Sequence, residues 1–149
     1  MAWITLTAGD LAERMAGPEY DAVRKAATGT YGQEQAQVLA DTVAEVRGRV
    51  AACARNRLGP AGTIPAELRG AALAIFRWRF LSRVPGLKTL LTDARKAEYD
   101  DALRLLEAAS ACRFAVEQPE EPAETDTGTT APSIAERPSR WGYPAQEGL

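Results

Sequence analysis

Pro65-Ala-Glu-Leu-Arg-Gly-Ala-Ala-Leu-Ala-Ile-Phe-Arg-Trp-Arg-Phe-Leu-Ser-Arg83 is the stretch that decides the fold. Proline at its start is pre-set for a first helical turn, and Val84-Pro85-Gly86 stops it. Between those limits Leu68, Ala71, Ala72, Leu73, Ile75, Phe76, Phe80 and Leu81 fall on nearly every side of a helical barrel. A helix apolar almost all round belongs in the centre of a small bundle. The rest of the chain must then supply the helices that cover it.

Upstream, Gln33 to about Arg57 reads as one long helix. Leu39, Val43, Val46, Val50 and Cys53 recur at a 4-3-4-3 spacing and make one apolar stripe. Gly48, in its middle, costs about 1 kcal/mol relative to alanine and reads as the mark of a close helix crossing. Leu58-Gly59-Pro60 stops this helix, and a loop leads to Pro65. Nearer the N-terminus, Trp3-Ile4-Thr5-Leu6 is a short extended opener. Thr7 caps a short helix bearing Leu11 and Met15, with Asp10 where a capping box places its carboxylate. A second short helix starts at Gly17-Pro18, carries Tyr20 and Val23, and runs to Ala27, followed by the loop Thr28–Gly32. Downstream, a last helix begins between Leu90 and Asp93 and continues to Val116. It turns Tyr99, Leu103 and Leu106 inward, with Ala102, Leu105, Ala109 and Cys112 beside them. The expected fold is all-α: a bundle of three long and one or two short helices over residues 1–116, with no βαβ alternation.

Residues 117–149 are different in kind. They are rich in Pro, Thr, Glu and Gly and nearly free of aliphatic side chains, so they cannot bury enough apolar surface to offset the entropy of ordering. They read as an acidic, Pro-rich extended arm that docks on a neighbouring subunit or partner. Arg140, Trp141 and Tyr143 are its expected anchors. The charge supports that reading. The 149-residue chain has a formal charge of −2, but residues 1–116 hold 16 basic against 13 acidic residues and the arm holds 2 against 7. A weakly basic body with an acidic arm favours head-to-tail contact between copies.

Little chemistry has a home here. The sequence contains no histidine, which removes the commonest general base and metal ligand. Gly59-Pro60-Ala61-Gly62-Thr63 lacks the Lys-Ser/Thr of a phosphate loop. Glu98, Asp100 and Asp101 read as a solvated helix face, not a cation site. Neither catalytic residues nor a cofactor nor a metal is expected, and the chain does not read as an enzyme. Cys53 and Cys112 each sit in a predicted helix; two buried thiols are the favoured reading, with a disulfide across an antiparallel helix pair the other. The opening residues lack the pattern of a signal peptide, and no run approaches the roughly 20 apolar residues that span a bilayer. A soluble protein of intracellular origin is the expectation.

The arginines are the more interesting group. Arg47, Arg49, Arg55 and Arg57 punctuate one predicted helix, and Arg77, Arg79 and Arg83 the next, around Trp78 and Phe80. Basic residues interleaved with aromatics can grip a nucleic-acid backbone. Helical spacing scatters these around the barrel, so exposure at the surface or ion pairs with neighbouring subunits are preferred. A small helical nucleic-acid-binding or regulatory protein stands as the alternative.

Several segments, in order, resemble one family. Met1-Ala-Trp-Ile-Thr-Leu-Thr-Ala-Gly-Asp-Leu11 is similar to a Tyr-Ile-Thr…Asp-Leu opening. Val50-Ala-Ala-Cys-Ala-Arg-Asn-Arg-Leu-Gly-Pro60 looks like a small-residue helix closing on Arg-Tyr-x-x-Pro, although Asn56-Arg57-Leu58 replaces the usual tyrosine. Ile64-Pro65-Ala-Glu-Leu68 matches Val-Pro-x-x-Leu, and Lys96-Ala-Glu-Tyr-Asp-Asp-Ala-Leu103 matches Arg-x-x-Tyr-x-x-Ala-Leu. Pro138-Ser-Arg-Trp-Gly-Tyr143 is comparable to a short aromatic and arginine tail segment. The chain in this way resembles the Mu-like prophage head–tail connector (neck adaptor, or head-completion) proteins. That resemblance implies a virion neck protein made in the host cytoplasm. It implies a ring, often twelvefold, beneath the portal protein, bound to further copies of itself and to the next neck or tail protein. Contact with packaged DNA would be transient, and no membrane is involved.

Overall fold

The computed structural model describes residues 3–120. In chain order it contains β1 (Trp3–Thr5), a 3-10 segment (Ala8–Arg14), α1 (Gly17–Thr28) and α2 (Gly32–Ala52). There follow β2 (Thr63–Pro65), a 3-10 turn (Ala66–Leu68), α3 (Arg69–Arg83), a 3-10 segment (Pro85–Leu90) and α4 (Asp93–Ser110). The fold is all-α apart from the two-stranded ribbon.

Helix α3 is the axis. Leu68 and, within α3, Ala71, Ala72, Leu73, Ile75, Phe76, Phe80 and Leu81 are all buried, as its all-round apolarity requires. Helices α2 and α4 pack on it and on each other, and the 3-10 segments close its ends. Helix α4 contributes Ala102, Leu106 and Ala109 to the core, while Tyr99 stays half-buried and stacks on Trp78 at 5.7 Å.

The N-terminal signals act as their chemistry predicts. The Asp10 carboxylate accepts hydrogen bonds from the Thr7 backbone N–H at 2.7 Å and its hydroxyl at 3.0 Å, which starts the first 3-10 segment. Thr92 caps α4 by accepting from the Arg95 N–H at 3.3 Å. The opener pairs antiparallel with β2 in the register Trp3↔Pro65, Ile4↔Ile64, Thr5↔Thr63.

Four expectations are corrected. First, Pro65 ends a strand, and the helix proper begins only at Arg69. Proline disfavours the helical region for the residue before it, so Ile64 is extended, and its side chain is fully buried under the ribbon. Second, α2 stops at Ala52, not near Arg57. The Asn56 side-chain amide donates to the Val50 carbonyl at 3.1 Å, beside the Cys53 N–H at 3.3 Å, and closes the end of the helix in place of a further turn. Third, Gly48 marks no crossing: it is exposed, and a Cβ placed there would meet nothing within 4 Å.

The fourth correction concerns the cysteines. They are bonded to each other, not free, with Cα atoms 5.3 Å apart. Helix α4 ends at Ser110, six residues before the predicted Val116, and Cys112 adopts a left-handed backbone at φ 58. Both cysteines lie just past a helix C-terminus, and α2 and α4 present those ends side by side. By the chain-entropy model a bridge across a separation of 59 residues contributes about 4 kcal/mol. Beyond Cys112 the chain turns back and buries Val116 in the core.

Candidate docking surface on helix α2 and the root of the arm

Helix α2 carries two apolar faces and covers only one. Val38, Thr42, Val46 and Val50 are its buried stripe, at a strict spacing of four. Thr42 belongs there because its hydroxyl donates to the Val38 carbonyl at 2.7 Å, leaving no polar group unmatched. Leu39 and Val43, predicted as core, are half-buried at the seam. With Ala36, Ala40 and Ala44 they form a second stripe about a third of a turn round the helix. These five residues, Arg47 and Gly62 line an open groove of about 560 Å³.

Arg47 closes one end of that groove. Its guanidinium donates to the carbonyls of Gly59 at 3.1 Å, Pro60 at 2.8 Å and Thr63 at 2.6 Å, and lies 5.7 Å over the Trp3 ring. Gly59 is pressed against the other side of this cluster: a Cβ there would come within 2.6 Å of the indole. Arg47 is a clasp that fixes the 59–63 loop on α2, which keeps the groove wall in place.

The remaining predicted arginines divide in two. Arg77 is buried, donates to the Arg14 carbonyl at 2.7 Å and pairs with Glu98. Arg79 pairs with Glu45 at 2.6 Å, and Arg83 with Glu34 at 3.4 Å and Asp41 at 3.8 Å. Burial alone would lower the Arg79 pKa, but hydrogen bonds to Glu45 and Tyr99 outweigh it and raise the value. These three are engaged within the chain. Arg49, Arg55 and Arg57 are exposed and have no ion-pair partner among the described residues. Arg55 and Arg57 also lie beyond the end of α2 rather than on it, so the three gather at one corner of the body.

The arm leaves from that corner. The Glu117 carbonyl accepts from the Trp3 indole N–H at 3.2 Å, and the Glu117 N–H donates to Glu67 at 3.0 Å. The Gln118 side chain accepts from the Arg57 N–H at 2.8 Å and donates to Asn56 at 3.3 Å. The chain therefore stays pinned to the body through Gln118. The predicted anchors Arg140, Trp141 and Tyr143 lie outside the described residues.

Comparison with known families places the chain. Residues 6–133 match the family model described as Bacteriophage Mu, Gp36. The chain belongs to the bacteriophage Mu Gp36 family. The match covers the helical body and enters the arm, and Pro138–Tyr143 lies beyond it. No curated protein and no solved structure matches the chain.

In this Gp36-family chain the acidic trio on α4 is occupied by neighbours: Glu98 by Arg77, Asp100 by Lys96 at 2.6 Å and Asp101 by Arg104 at 2.9 Å. Among the described residues, no group of three or more Cys, Asp or Glu is placed to hold a metal ion. Among the same residues, no helix is long and apolar enough to cross a membrane.

Proposed function

We propose that this phage protein is a head–tail adaptor, or head-completion protein. It assembles as a ring under the portal protein at the virion neck, extends the DNA channel and offers a platform to the next neck or tail component. Its role is structural, not catalytic. Membership of a Mu phage family supports this reading, and the observation that carries it is the second apolar face of α2. A chain that worked alone would gain from polar residues at positions 36, 39, 40, 43 and 44; contiguous apolar surface on a small body is the mark of a docking site. The exposed Arg49, Arg55 and Arg57 corner adds a cationic surface for acidic protein or passing DNA.

The test combines the purified full-length chain with its portal protein and follows mass by size-exclusion chromatography with light scattering. Ring-sized species that appear only with portal are expected. Removal of residues 121–149 should leave the circular dichroism and melting of the body unchanged while incorporation is lost. Tight DNA binding by the free chain, steeply weakened by salt, with no association with portal, would overturn the adaptor and favour a nucleic-acid-binding protein.

A further inference from the structure

We propose that the groove on α2 receives the aromatic segment Arg140–Pro144 from an adjacent copy of this chain. This deepens the adaptor reading and rests on it for the presence of adjacent copies. Three independent matches support the assignment: repeat, charge and reach.

The repeat comes first. Trp141 and Tyr143 are the only aromatic residues beyond Glu120, and they are two positions apart around Gly142. In an extended strand, residues i and i+2 present their rings to the same side, about 6.6 Å apart. Along α2, Ala36, Ala40 and Ala44 recur every about 6 Å and form the low floor of the groove, with Leu39 and Val43 as a ridge beside them. Two flat rings at that spacing fit two successive alanine steps.

Charge sets the direction. The C-terminal end of α2 is basic, with Arg49 within it and Arg55 and Arg57 just beyond it, whereas Glu34 and Asp41 in its N-terminal half are already paired with Arg83. Ahead of the aromatic pair the arm carries Glu117, Glu120, Glu121, Glu124, Asp126 and Glu136, with Arg137 and Arg140 next to the rings and Glu147 beyond them. An arm laid along α2 from its C-terminal end toward its N-terminal end brings its acidic stretch past Arg49, Arg55 and Arg57. The reverse direction carries that acidic stretch past Glu34 and Asp41 instead.

Reach selects the neighbour. Between Glu120 and Trp141 lie 20 residues, which span up to about 70 Å when extended. A body of this size is about 35 Å across. The arm's own groove begins beside its root, because Glu117 bonds to Trp3 and Trp3 lies under Arg47. Docking there would require a stretch carrying Pro119, Pro122, Pro132 and six acids to loop out and return. Such composition resists compaction and suits a span to the next body.

The experiment places the photo-crosslinker p-benzoylphenylalanine in the full chain at exposed Ala40, and separately at Ala44. Equal amounts of isotopically heavy and light protein are mixed before assembly with portal. Circular dichroism first checks that each variant keeps its helices. The expected product joins α2 to residues 138–145, with about half of the linked peptide pairs carrying one heavy and one light partner. Trp141→Ala with Tyr143→Ala should abolish that product. Pairs of matched label only would mean the arm docks on its own body; links to portal, or none to the arm, would also overturn the proposal. If the protein still enters portal rings in those cases, the adaptor reading stands and this inference alone falls. If it enters none, both fall.

Discussion

Helices α3 and α2 are both apolar beyond what a surface helix needs, yet the fold treats them oppositely. The apolar residues of α3 are covered by the chain's own elements on most sides, down to a buried arginine with two intrachain acceptors. Helix α2 is covered on Val38, Thr42, Val46 and Val50 and left open on Ala36, Leu39, Ala40, Val43 and Ala44. One surplus of apolar surface is consumed by folding. The other is left for another molecule, and substitutions should separate the two: α3 changes cost stability, and α2 outer-face changes cost assembly.

The largest effect is expected at the axis. Phe76→Ala leaves a cavity in a fully buried site and should destabilise by about 3–5 kcal/mol, read as a lower urea midpoint with helices lost in the absence of denaturant. The bridge ranks next. Cys53→Ser with Cys112→Ser, or reduction of the wild type, should cost about 2–4 kcal/mol and loosen the end where α2, α4 and the arm root meet. A melting temperature unchanged by reduction would show that the return segment Arg113–Gln118 holds that corner without it.

How much of this was readable from sequence follows the same division. Helix α3 was legible because its burial needs no partner to be inferred: apolar residues on all sides admit one location. The Thr7–Asp10 cap was legible because it is local. The register of α2 was not. The stripe through Leu39 and Val43 and the stripe through Val38 and Thr42 both satisfy helical spacing, and hydropathy prefers the former. Thr42 wins because its hydroxyl finds the Val38 carbonyl within its own helix. Strand β2 was invisible for a different reason: Thr63-Ile-Pro65 is a strand only because Trp3–Thr5, sixty residues away, pairs with it. The disulfide was obscured by helix ends drawn too far, which put each cysteine inside a helix when both lie just outside one. The arginines were the least legible, since nothing local separates Arg47, clasped by three carbonyls, from Arg49, exposed two residues on.

The outer face of α2 offers the sharper contrast. Ala40→Asp and Ala44→Asp replace exposed side chains within a helix, so each should cost less than about 1 kcal/mol in urea unfolding. Both should abolish incorporation into portal-bound rings, because a carboxylate in the groove would be buried unpaired on docking. Loss of stability comparable to that of Phe76→Ala would erase the distinction between the two helices.

The smallest effect lies where the first 3-10 segment is tied to α3. Arg69 donates to Asp10 at 3.0 Å and to Glu13 at 2.7 Å. Burial would raise the Asp10 pKa, but the Thr7 N–H and hydroxyl, with Arg69, outweigh it and hold the carboxyl below its ordinary value. The Arg69 hydrogen bonds likewise lower Glu13, and the two carboxylates raise Arg69. A carboxyl whose folded pKa lies below its unfolded one adds stability above the unfolded value, and that stability fades as pH falls through the folded value. The melting temperature should therefore drop between about pH 5 and pH 3, and drop less in Arg69→Gln. Solvent screens this exposed cluster, so the difference should be modest and shrink further in high salt. An equal acid-induced drop in Arg69→Gln would mean that the ties of Asp10 and Glu13 to Arg69 do not govern it.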